Sequence, residues 1–177
     1  SAHAFDVFTH LMKTLEHAGK KKYSLEVRLA ALFHDIGKPA TKRPSKKTTE
    51  PTFYGHDVVG ARITEKVLTR LKFPKKIIDN VIKLVRWHMF FSDTETITLS
   101  AVRRMVRNVG EDNIWALMDV RACDRIGTVR PKESPYRLRK YHSMVEEAMR
   151  NPISVATLKI NGARLMELRG SLQGRRL

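Results

Sequence analysis

Apolar residues recur at helical spacing along this chain, and no run alternates apolar with polar residues long enough to argue for a sheet. That pattern predicts an all-α fold of about seven helices. Over the 177 residues, a first helix is expected from about Ala4 to Ala18, with Phe8, Leu11, Met12 and Leu15 on one face and Gly19 as its stop. Ser24 caps a second, very apolar helix through Leu25, Leu29, Leu32, Phe33 and Ile36, ended by Gly37 and Pro39. A basic loop without apolar periodicity is expected from Lys38 to Pro51. A third helix from about Asp57 to Leu71 buries Ile63, Val67, Leu68 and Leu71, with Asp57 as its cap. A fourth, Pro74 to Phe90, buries Ile77, Ile78, Val81, Leu84 and Val85. Ser100 caps a short fifth helix through Val102, Met105 and Val106, and a sixth carries Ile114, Leu117, Val120 and Asp124 to Gly127. Ser134 and Pro135 open a seventh that ends near Asn151-Pro152. These helices predict one helical domain over 1–152, followed by a C-terminal extension over 153–177 with a short helical pattern from Gly162 to Leu168 and a basic end.

Size and composition narrow the classes. The chain is long enough to bury one core and too short for two comfortable ones. At 42% hydrophobic and 29% charged, it is neither low-complexity nor compositionally disordered. No run approaches the ~18 apolar residues of a membrane span, and no charged-then-apolar leader opens the chain, so a cytoplasmic protein without a membrane partner is expected. The single cysteine, Cys123, cannot form an internal disulfide or a thiolate cage. A metal would have to use histidine and carboxylate. Lys+Arg 34 against Asp+Glu 18 gives a net charge of +16, which favours a polyanionic partner through counterion release. Lys42, Arg43, Lys46 and Lys47 in the loop and Arg103, Arg104 and Arg107 on the fifth helix are the candidate RNA contacts.

Chemistry concentrates in a few side chains. His10 sits within an apolar stripe, and His34-Asp35 end the most hydrophobic helix in the chain. A carboxylate there is costly to bury unless it is paired or bound to a cation. Neutral imidazole plus carboxylate is a ligand set for Mn, Fe, Ni, Co or Zn. Asp124, on a separate helix, could join them or pair instead with Arg121 or Arg125 on its own helix. Bundles build metal centres in this way, from inward-facing residues of neighbouring helices.

His10, His34-Asp35 within Leu-Phe-His-Asp-Ile-Gly-Lys, and Asp124 resemble the signature of the HD superfamily of metal-dependent phosphohydrolases. Tyr54-Gly55-His56-Asp57, Arg86-Trp87-His88 and the closing Leu158-Lys159-Ile160-Asn161-Gly162 are similar to the HD domain attached to bacterial tRNA nucleotidyltransferases and poly(A) polymerases. The resemblance implies an all-α HD fold from about Asp6 to Leu168. It implies His10, His34, Asp35 and Asp124 as ligands of a first divalent ion, drawn from Mn, Ni, Co, Fe, Zn or Mg, with His56 and His88 joining a second and Asp35 bridging. It also implies nucleotide, 2′,3′-cyclic phosphate or RNA-end substrates, with tRNA as partner. Lys38 and Arg86 would offset phosphoryl charge beside Asp35. The nucleotidyltransferase head of that family needs a Gly-Ser followed by an Asp-x-Asp pair. The only Gly-Ser here is Gly170-Ser171, with no acidic pair beyond it, so polymerisation by this chain alone is not expected. Two competing readings are a non-catalytic RNA-binding domain with a vestigial or structural metal site, and a nucleotide-sensing regulatory domain.

Overall fold

A computed structural model describes residues 6–45, 49–91, 97–128, 136–150 and 166. Among these the fold is all-α, with one isolated antiparallel bridge between Arg43 and Thr52. Seven longer helices form in chain order: α1 (Val7–Lys20), α2 (Leu25–Phe33), α4 (His56–Arg70), α5 (Lys75–Trp87), α6 (Leu99–Val109), α7 (Glu111–Ile126) and α8 (Tyr136–Arg150). Between α2 and α4 lies the one-turn α3 (Lys38–Thr41), and a 3-10 turn, His88–Phe91, continues α5.

The caps follow local chemistry. Asp6 starts α1 by accepting from the Thr9 amide, and Ser24 starts α2 by accepting from Val27. Thr98, not Ser100, caps α6 by accepting from Ala101. Both hydroxyls satisfy an orphan N–H equally well, so the residue pattern alone does not choose between them. Asp57 does not cap α4: Gly55, with φ +76, occupies that position and no side chain closes it. Helix is also found where a loop was expected, at Lys38–Thr41, because Pro39 falls in the first turn, where its missing N–H costs nothing. Lys46, Lys47, Ser134, Pro135 and the 153–177 extension, apart from Met166, lie outside the described residues.

Among the described residues one large apolar cluster forms the core, with a smaller one of Ala18, Ala31 and Cys123 beside it. Val27, Leu68, Ile78, Val81, Leu84, Val85, Val102, Met105, Ile114, Leu117 and Val145 are buried in the large one. Two helix faces differ from expectation. On α1, Phe8 is 71% exposed and Met12 is exposed, while Leu11, Thr14 and Ala18 are buried. The helix is rotated to aim His10 inward. On α4 the buried face is Gly60, Ala61, Thr64 and Leu68, whereas Leu71 is exposed. Small residues here let α4 approach the turn after α2 closely, so a Cβ on Gly37 would lie 2.1 Å from the His56 carbonyl oxygen. The C-terminal ends of α2, α5 and α7 and the start of α4 consequently converge, and His34-Asp35, His88, Asp124 and His56 lie at those ends.

Candidate metal centre

Four imidazoles and two carboxylates meet there. Histidine rings stack edge to face in a chain from His10 to His34 to His88 to His56, with centroids 5.1, 5.2 and 5.2 Å apart. Each ring is held by its Nδ1, which donates to a backbone carbonyl: His10 to Gly127 at 2.9 Å, His34 to Ala31 at 3.0 Å, His56 to Phe53 at 2.8 Å and His88 to Val85 at 2.7 Å. A carbonyl only accepts, so the proton is assigned to Nδ1 in all four rings and each Nε2 presents a lone pair to the centre.

Those lone pairs face one another. Nε2 of His10 is 3.0 Å from Nε2 of His34, and Nε2 of His56 is 3.3 Å from Nε2 of His88. Two unprotonated nitrogens at that range repel unless a proton or a cation lies between them. Asp124 Oδ1 completes the first pair, 3.2 Å from His10 and 3.5 Å from His34. Asp35 spans both pairs: its Oδ2 is 3.5 Å from His10 and from His34, and its Oδ1 is 3.3 Å from His56 and 3.7 Å from His88. Donors bound to one ion at ~2.1 Å, with angles between octahedral and tetrahedral, stand about 3.0 to 3.4 Å apart. The spacings match. His10, His34 and Asp124 form one group that could hold a divalent ion, and Asp35, His56 and His88 form another.

The electrostatics follow from this enclosure. His34 is fully buried and His88 is 1% exposed. Burial pushes Asp35 upward, but His34, His56, His88 and Lys38 outweigh it and hold the carboxyl far below the usual range. Asp124 is likewise well below its ordinary value, with His10, His34 and Arg121 overcoming burial. Burial pushes His34 down, yet Asp35 and Asp124 win and its pKa is raised. For His88 burial dominates, and the ring is held neutral.

Other predicted residues divide. Lys38 donates to Asp35 Oδ2 at 2.6 Å and lines the pocket of about 640 Å³ that opens over the cluster. Arg86 is absent from the lining. It donates to Asp57 and lies over the Trp87 ring at 4.9 Å, tying the start of α4 to the end of α5. Lys42, Arg43, Arg104 and Arg107 are exposed, and Arg103 is half-buried. The sequence marks Arg121 only as a possible partner of Asp124. Arg121 both donates to Asp124 and lines the pocket. Its spacing three residues before Asp124 is the signal that pointed to it.

The comparisons with known proteins agree with this geometry. A family model described as "HD domain" matches residues 7–128. The chain is 36% identical over 151 residues to the CC-adding tRNA nucleotidyltransferase of Thermus thermophilus, covering 85% of this chain and 33% of that protein. It is 39% identical over 89 residues to the A-adding tRNA nucleotidyltransferase of Deinococcus radiodurans, covering 49% of this chain and 20% of that one. With a multifunctional CCA protein of Neisseria meningitidis it shares 28% identity over 143 residues, covering 78% of this chain and 33% of the relative. The matched region thus spans a third or less of the length of these curated relatives. A match over most of the helical unit, centred on the converging His and Asp side chains, places this chain in the HD domain family.

Proposed function

We propose that this chain is a metal-dependent phosphohydrolase acting on nucleotide, 2′,3′-cyclic phosphate or RNA-end substrates, and is the HD part of a tRNA nucleotidyltransferase-like protein. The observation that carries the reading is the set of four Nε2 lone pairs converging on two carboxylates, with Asp35 shared between the two groups. His10, His34 and Asp124 would hold one ion and His56 and His88 a second, with Asp35 between them. Imidazole and carboxylate suit Mn, Ni, Co, Fe or Zn, with Mg the harder alternative. A bound ion supplies Lewis acidity and lowers the pKa of its water toward neutrality.

The chain's own groups do the rest. The backbone carbonyls of Gly127, Ala31, Phe53 and Val85 fix the ring tautomers and orientations, the outer-shell support that metal-ligating histidines need. Lys38 and Arg121 line the pocket beside the carboxylates and would offset charge building on the phosphoryl oxygens. Arg86 acts indirectly, by anchoring Asp57 and hence the neighbouring His56. No serine or cysteine nucleophile is required. No Asp-x-Asp pair stands anywhere in the chain, so nucleotide addition by this chain alone is not part of the reading.

The test is turnover of 2′- and 3′-nucleotides and 2′,3′-cyclic nucleotides with Mn, Ni, Co or Mg. Expected is turnover that a chelator abolishes, metal restores and Asp35→Ala removes. No turnover with any metal, or unchanged turnover in Asp35→Ala, overturns the reading. A second reading, RNA binding without catalysis, is favoured by one observation. The exposed Arg43 pairs through its backbone with Thr52, which lines the pocket, so basic charge sits at the mouth. tRNA binding that weakens steeply with salt and survives Asp35→Ala, in a protein without turnover, selects it.

A further inference from the structure

Above the cluster, the pocket has a wall the hydrolytic chemistry does not use. Segment 51–55 supplies Pro51, Phe53 and Tyr54, and Met89 follows His88. Two of these are unusually exposed for their type: Tyr54 at 87% and Met89 at 44%. An aromatic side chain so bare does not serve the core, and exposed apolar surface in a cleft marks a ligand contact. The wall is braced from both sides. Thr52 exchanges both backbone hydrogen bonds with Arg43, at 3.0 and 2.8 Å, and the Phe53 carbonyl accepts from His56 Nδ1. Lys38 Nζ lies between Asp35, at 2.6 Å, and the Phe53 ring, 5.8 Å from its centroid. The aromatic wall therefore begins where the phosphate-facing cation ends.

We propose that Tyr54, with Phe53 and Met89, forms a base-stacking wall, so that the site selects phosphates of nucleosides whose base is unpaired over base-free sugar phosphates. Aromatic rings hold bases by stacking with little regard to sequence, and the thioether of Met89 adds a polarizable, adaptable surface. A base inside a duplex presents no free face, and a terminal paired base presents only one and is held in the stack by its partner, so a single-stranded RNA end or a free nucleotide fits better than a paired end. The proposal rests on the phosphohydrolase reading for the reaction, not for the binding.

The experiment compares wild type, Tyr54→Ala and Tyr54→Phe in two readouts. The first is calorimetric binding of adenosine monophosphate and ribose 5-phosphate in the presence of a chelator. The second is the ratio of kcat/KM for those compounds with metal added. Tyr54 is exposed, so neither substitution disturbs packing. Expected in Tyr54→Ala is about a tenfold or larger loss of preference for the adenosine compound in both readouts, carried by KM. Tyr54→Phe, which keeps the ring, restores the preference. A 3′-phosphorylated oligonucleotide, single-stranded or paired to its end, forms a further arm. Preference for the unpaired end identifies RNA as the source of the base, whereas the preference for monophosphate alone identifies a free nucleotide. An unchanged preference in Tyr54→Ala, or no binding of adenosine monophosphate by wild type, overturns the inference. Base-dependent binding that Tyr54→Ala weakens, without turnover of any phosphate ester, keeps the wall and removes the hydrolase reading.

Discussion

Two glycines set the distances in the cluster, and alanine at each has a distinct expected effect. A Cβ at Gly37 would stand 2.1 Å from the His56 carbonyl oxygen, 2.7 Å from the Gly60 amide nitrogen and 3.0 Å from the His56 carbonyl carbon. All three are backbone atoms, so no side chain can swing aside. Reaching ordinary contact requires the start of α4 to retreat by about 1.3 Å, since close-packed interiors leave no slack. If His56 moves with it, the 3.3 Å gap between His56 and Asp35 opens to roughly 4.6 Å, beyond shared coordination at ~2.1 Å per bond. Overpacking of this kind costs ~1–3 kcal/mol, or a fall in Tm of roughly 2–12 °C for a chain of this size. The expected result for Gly37→Ala is a protein that keeps the ion held by His10, His34 and Asp124 and loses the one held by His56 and His88. Gly127→Ala is the mirror case. Its Cβ would meet Thr14 Oγ1 at 2.5 Å and the His10 ring at 2.7 and 2.8 Å, displacing His10 and the other ion. Gly19→Ala, with nothing within 4 Å, is the control, expected to gain up to ~1 kcal/mol from helix propensity. Thermal melts with metal titration by calorimetry read all three. Wild-type stability and stoichiometry in Gly37→Ala would refute the reasoning.

Further expectations concern charge. The raised pKa of His34 means that protons compete with a metal at its Nε2 up to a higher pH than at a free imidazole. Affinity should fall on acidification, with buffer-dependent proton release on binding; pH-independent affinity contradicts this. With metal stripped, Asp35 and Asp124 titrate far below their unfolded value of 3.8. Their stabilisation is therefore present above that value and lost as pH falls below it, a steeper acid transition than in Asp124→Asn. A double-mutant cycle on Arg86→Gln and Asp57→Asn should give a coupling of ~1 kcal/mol, with hydrolysis reduced alike in both single mutants. Additive effects would separate the pair. Arg104→Glu with Arg107→Glu should weaken RNA binding and flatten its salt dependence, and unchanged binding removes α6 from the RNA surface.

Much of this was legible in the residues, and what was not has physical causes. Helical periodicity located the seven longer helices, because burial of one face leaves a 3.6-residue trace. It misjudged α1, where Phe8 and Met12 carry the apolar pattern yet face outward. The inward face there is chosen by His10 and Thr14, polar residues that periodicity counts as exterior. Asp57 reads as a cap from its place at a helix start, and only the approach of Arg86 from α5 reveals its partner. The convergence of His56 and His88 on Asp35 is tertiary, since these residues lie 21 and 53 positions beyond it; the motif resemblance, not spacing, implied it. Nothing local distinguishes Tyr54 from a surface residue, and only the spacing to Asp124 marks Arg121, until the pocket places them together. Among the described residues no helix is long and apolar enough to cross a membrane.

The claim beneath all of this is that one carboxylate, Asp35, serves two groups of histidines that hold divalent metal. Elemental analysis of dialysed wild-type and Asp35→Ala protein tests it most directly. Retained transition metal in wild type, lost together with turnover in Asp35→Ala, is the expected result. A wild-type protein that retains no metal and takes none up on titration, or an Asp35→Ala protein with undiminished metal content, would contradict it.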